Sequence, residues 1–101
     1  MANTANFGNA LMFEAHSDSM SPIIKRGDRV IVDASAECQT GDIAVVNVNS
    51  LHGLIVRIAS LTENSITLTC ENKKYCRRPV AFDRQNVEII GAVNRVQKIL
   101  K

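Results

Sequence analysis

The run "SDSMSPIIKRGDRVIVD" (residues 17–33) passes from a serine-rich turn, through Pro22 and a pair of isoleucines, to Gly27 and a β-branched strand. Its first half suits a short turn of helix that ends at Gly27, because glycine takes the left-handed conformation that commonly terminates a helix. Its second half, "RVIVD" (29–33), reads as a strand by β-branching. The dipeptide "GD" returns at 41–42, again directly before an apolar β-branched run, "DIAVVNVN" (42–49). Two ordinary turn-to-strand entries are enough to explain each pair.

The same pattern extends in both directions. Upstream, "ALMFEAH" (10–16) reads as a strand entering the core. Residues 1–10 are rich in Asn and Ala, with Phe7 as the one anchor, and are expected to be a loose lead-in. The body of the domain is then 11–101. Downstream, "SLHG" (50–53) is read as the turn of a hairpin that returns along "LIVRIAS" (54–60). After a second turn at 62–64, "SITLTC" (65–70) alternates Ile66, Leu68 and Cys70 with Ser65, Thr67 and Thr69, the period of a half-buried strand. The stretch 71–86 is polar and basic and reads as a long loop with a short strand at 80–82. The last stretch, "VEIIGAVNRVQKILK" (87–101), reads as strand to Val96, with Gly91 marking a bulge or a close backbone contact. A helix over 92–100 is the weaker alternative. The fold class is mostly β: six or seven short strands in a compact, antiparallel-rich barrel or sandwich with little helix.

Composition bounds the function. With 101 residues the chain is one domain, with room for one hydrophobic core and not two. Aromatics are few and Trp is absent, so Val, Ile, Leu and Ala must build the core. A net charge of +2 makes no general case for a nucleic-acid or membrane partner. The basic cluster Lys73, Lys74, Arg77 and Arg78 reads as a solvated loop face, with phosphate contact as the functional alternative. Nothing approaches the ~20 apolar residues of a membrane span, and the N-terminus has neither the basic cluster nor the apolar run of a signal peptide. Cys38, Cys70 and Cys76 lack the spacing of a zinc or redox motif and read as reduced thiols in a cytoplasmic protein. One disulfide with a free thiol is the alternative. No cofactor and no metal are expected.

Taken in order, "SDSMSPIIKRGDRVIVD", "GDIAVVNV", the hairpin into "LIVRI", "ITLTCENKKY" and "VEIIGAV" resemble the C-terminal domain of LexA and of phage CI-type repressors. These are serine–lysine self-cleaving peptidases, and UmuD is another member. The resemblance spans residues 11 to 96. It implies that Ser19, followed by Met20, stands at the nucleophile position. Ser17 stands where the family usually has glycine.

A serine hydroxyl attacks only when a base removes its proton. The resemblance places that base, a desolvated lysine of lowered pKa, on the returning hairpin strand. Here the strand reads "IVRI" (55–58). Matching the arginine and the isoleucine after it puts Val56 at the lysine position; counting back from "CEN" puts Arg57 there. Valine does not titrate, and arginine stays protonated. His16 is a conceivable base, although a structural or exposed histidine is the simpler reading; His52 reads as a solvated loop residue. Members also cut a linker upstream of the serine, at a small residue followed by glycine, and Phe7-Gly8 does not match.

The resemblance therefore implies a non-cleaving member: the dimerisation or oligomerisation domain of a phage-type repressor, with its helix-turn-helix in a separate N-terminal domain. Its partner would be a second copy of itself, and an antirepressor protein is a further candidate. The final strand is implied as the self-association edge through Ile89, Val93, Val96, Ile99 and Leu100. The rival reading is an active self-cleaving peptidase with Ser19 as nucleophile.

Overall fold

In the computed structural model, residues 10–34 and 37–98 are described. They form seven strands: β1 Ala10–Glu14, β2 Arg29–Asp33, β3 Ile43–Val48, β4 Leu51–Leu61, β5 Ser65–Thr69, β6 Val80–Asp83 and β7 Val87–Gln97. One turn of 3-10 helix, Arg84–Asn86, is the helical element among the described residues. The strands join in the order β1-β2-β7-β3-β4-β5-β6, and every pairing is antiparallel. The mostly β, antiparallel architecture expected from the sequence is the one observed. Residues 87–97 are strand, not helix.

β7 bridges two parts of this sheet. Its first half pairs with β3, from Val48↔Val87 to Ala44↔Ala92, and its second half pairs with β2, from Asp33↔Ala92 to Arg29↔Gln97. Two register shifts lie near this crossover, at Val45/Val46 and at Ile31/Val32. Gly91 sits there for a steric reason. A Cβ on it would lie 2.6 Å from both the Asp33 carbonyl oxygen and Val32 Cγ1.

Two expectations need correction. The hairpin turn is Asn49-Ser50, not 50–53, and Asn49 has φ +54°. Asparagine is among the few residues that tolerate the positive φ of a two-residue hairpin turn. β4 therefore begins at Leu51 and takes in His52 and Gly53. The predicted helical turn after Ser19 is a run of turns, with Ser21 N–H bonded to Asp18 C=O and Ile24 N–H to Met20 C=O at 3.0 Å each and Asp28 N–H to Lys25 C=O at 2.9 Å, and no helix is formed. Gly27 does take a left-handed conformation, at φ +93°.

The buried side chains form two clusters, not the single core expected. Met20, Ile24, Val30, Val32, Val45, Ile55 and Cys70 are among the members of the first. Ala44, Val46, Val56, Ile58, Ile66 and Leu68 are among those of the second. Neighbouring residues of β3 and β4 alternate between them, as the period of two requires. A coiled sheet covers both faces of β3, and that is how a small chain accommodates two apolar layers.

Candidate functional site

Ser19 lies in the loop between β1 and β2, and four features of the loop hold it in place. Its stems bond to each other, Ala15 N–H to Asp28 C=O at 2.8 Å and Gly27 N–H to Ala15 C=O at 2.9 Å. Met20 and Ile24 anchor it in the first cluster, 2% and 0% exposed. Burying two such side chains contributes roughly 1.5–3 kcal/mol each. Asp18 accepts the Arg26 N–H at 2.9 Å. Asp28, buried, accepts the Lys25 N–H at 2.9 Å and pairs with the Lys98 ammonium at 2.8 Å. Lys98 also donates to the Ile23 carbonyl, so the chain beyond β7 folds back onto this loop.

Asn72, in the loop after β5, grips the serine turn from the other side. Its backbone N–H donates to the Ser19 carbonyl at 2.9 Å, and its side-chain amide donates to the Asp18 carbonyl at 3.0 Å. Its Oδ1 accepts the Lys74 N–H at 3.0 Å, and its own carbonyl accepts the Tyr75 N–H at 2.9 Å. Asn72 is not marked by any motif; its one signal in the sequence is its place in "CEN", beside a turn-forming polar run.

The cysteines depart from expectation. Cys70 and Cys76 are joined in a disulfide that closes the Asn72 loop, and Cys38 is free. This is the alternative arrangement, not three thiols. Cys38 is half-buried on the far side of the sheet. Burial, and then the Asp42 carboxylate, push its thiol above the ordinary cysteine value.

Ser19 faces a cavity of about 130 Å³. Its walls include His16, Ser17 and Ile24 from the loop region and His52, Leu54 and Ile55 from β4. It continues into an open groove of about 840 Å³, with Glu14, His16, His52 and Gly53 common to both. Ser17 donates its hydroxyl to Ser19 Oγ at 3.2 Å and accepts the Ser19 N–H at 3.3 Å.

The β4 residues near the expected base separate cleanly. Ile55 lines the Ser19 cavity. Val56 points the other way, into the second cluster. Arg57 is ion-paired with Glu71 and donates to the Gly41 carbonyl at 2.7 Å, tying β4 to the Asn72 loop and to the turn before β3. Among the described residues no lysine lines the cavity. Both histidines do, and His52 does so from a strand, not from a hairpin turn.

On β7, Ile89 packs against the second cluster, and Val93 and Val96 pack against the first, all half-buried. Beyond Ala92, β7 has β2 on one side and no paired strand on the other among the described residues. Ile99 and Leu100 lie outside the described residues, as does the lead-in before Ala10. Among the described residues no group of acidic, His or Cys side chains is arranged to hold a metal ion. No helix there is long and apolar enough to cross a membrane.

A protein-family model described as Peptidase S24-like matches residues 2–94. No curated protein matches the chain significantly.

Proposed function

We propose, from the premise that the chain belongs to the Peptidase S24-like family, that it is a non-cleaving member: a self-association domain of a cytoplasmic, phage-type transcriptional repressor. The observation that carries this is the Ser19 cavity, which is lined by Ile55 from β4 and, among the described residues, by no lysine. Ser19 Oγ takes its hydrogen bond from Ser17, a hydroxyl without useful basicity near neutral pH.

Such a domain acts by linkage. Tying two DNA-reading domains together makes the second binding event intramolecular, with gains of about 10²–10⁴ in avidity. Sequence reading is left to a separate helix-turn-helix domain. Release without cleavage calls for a partner that breaks the assembly, and an antirepressor protein fits that role. Cytosolic reductants would keep Cys70 and Cys76 open in such a protein except under oxidising conditions. Sedimentation equilibrium at micromolar concentration is the test of assembly: a reversible dimer or larger species is expected, and a strict monomer overturns the proposal.

A second reading has one observation in its favour. His16 and His52 line the cavity with Ser19, so a serine–histidine peptidase remains chemically intelligible. Treatment with a serine-directed fluorophosphonate separates the two readings. The non-cleaving reading expects Ser19 to stay unlabelled. Stoichiometric labelling that is lost in both Ser19→Ala and His52→Ala selects the enzyme.

A further inference from the structure

The loop after β5 concentrates positive charge that no ion pair among the described residues engages. Lys73, Lys74, Arg77 and Arg78 are four of the chain's twelve basic residues, within six positions. The whole chain is only +2, so the remainder is net acidic. All four side chains are exposed, and Tyr75 between them is 53% exposed. The two ion pairs found among the described residues are Arg57–Glu71 and Lys98–Asp28, and neither involves this cluster. Glu71, the carboxylate nearest in sequence, is held by Arg57.

The loop is also held in shape. Asn72 ties it to the Ser19 turn and accepts the N–H groups of Lys74 and Tyr75, bonds that do not depend on the Cys70–Cys76 link. Four cations are thus displayed on a backbone that does not have to be ordered on binding, which removes part of the entropic cost of association.

We infer that residues 73–78 form a contact surface for the phosphate backbone of duplex DNA, beyond the self-association proposed above and resting on it only for the nearness of DNA. Duplex DNA carries one charge per ~1.7 Å of axis, dense enough for exposed cations a few residues apart to find phosphates whatever the sequence. An acidic protein would have to match carboxylates to these positions, and a stable protein interface needs an apolar centre. The loop offers Tyr75 alone for that purpose, flanked on both sides by charge. Phosphate contacts position a protein without reading bases. The surface would therefore add affinity and orientation to a repressor whose specificity lies elsewhere. In a tethered domain even a weak contact counts, because the effective concentration of DNA is in the millimolar range.

The experiment is fluorescence anisotropy of the 101-residue chain with a short duplex of arbitrary sequence, with sedimentation run on the same samples. Four phosphate contacts predict a log–log salt slope of about −3.6, hence roughly a hundredfold loss of affinity between 50 and 200 mM salt. Charge reversal at all four positions (K73E, K74E, R77E, R78E) should abolish binding while leaving self-association unchanged. The milder pair K73Q and K74Q should reduce the slope by about 2. No binding at 50 mM salt, or binding that survives the reversal, overturns the inference. So does an affinity for polyglutamate equal to that for DNA at matched charge, which would assign the loop to acidic proteins. A chain that binds DNA but sediments as a monomer would retire the assembly proposal and leave this inference standing.

Discussion

At Ser19 the chemistry turns on which of three consecutive β4 residues shares its cavity. Ile55 lines the same cavity as Ser19 and is 7% exposed, whereas Val56 and Arg57 are engaged elsewhere. Ile55→Lys should therefore place an ammonium in a desolvated pocket beside the serine, where burial lowers its pKa and makes it a usable base. The expected outcome is fluorophosphonate labelling of Ser19 that rises with pH in Ile55→Lys and does not appear in Val56→Lys. The first variant also loses roughly 1.5–3 kcal/mol of apolar burial, so its unfolding midpoint should fall while its reactivity appears. Labelling in Val56→Lys alone would mean that β4 presents the other face to Ser19.

Among the elements, β7 is under the tightest steric constraint. It changes partner from β3 to β2 at Ala92, and the backbone of β2 passes so close to Gly91 that no side chain fits. Gly91→Ala forces a methyl to 2.6 Å from a backbone oxygen, which cannot swing away as a flexible side chain would. Overpacking of this kind costs about 1–3 kcal/mol, and the rigid neighbour argues for the upper end. Chemical denaturation should show that loss with an unchanged dependence on denaturant. A neutral result would mean that β2 and β7 separate more easily than their register implies. The glycine was legible in the sequence as a bulge or close contact, and the structure makes it both. The turn of the β3–β4 hairpin is not legible in the same way, because Gly53 carries the stronger turn signal while Asn49 takes the positive φ at the turn itself.

For the whole molecule, the functional proposal rests on association, and the second half of β7 is where the proposed partner copy would find an unpaired strand edge among the described residues. Past Ala92 one side of the strand lacks a paired neighbour among the described residues, and Val96 lies there half-buried. Val96→Asp should lower self-association at least tenfold, or about 1.4 kcal/mol or more, as read by sedimentation. Circular dichroism should confirm that the sheet persists, since Val96 also pairs with Val30 and packs on the first cluster. A folded variant that still associates as the wild type does would move the interface off this strand.

The sequence by itself determined the strands and the Ser19 turn. Alternation of period two, β-branching and turn glycines are local properties, legible without knowing what packs against them. The order of its motifs pointed to the family. Tertiary structure decided what local pattern cannot carry: β7 crossing from β3 to β2, Asn72 bonded to Ser19 from more than fifty residues away, and Cys70 joined to Cys76. It also decided that Ile55, not Val56 or Arg57, lines the serine's cavity. The reason is register. A shift of one residue sends every side chain of a strand to the opposite face, and the shift is set by a turn at Asn49 and by long-range pairing, which residues 55–57 do not encode.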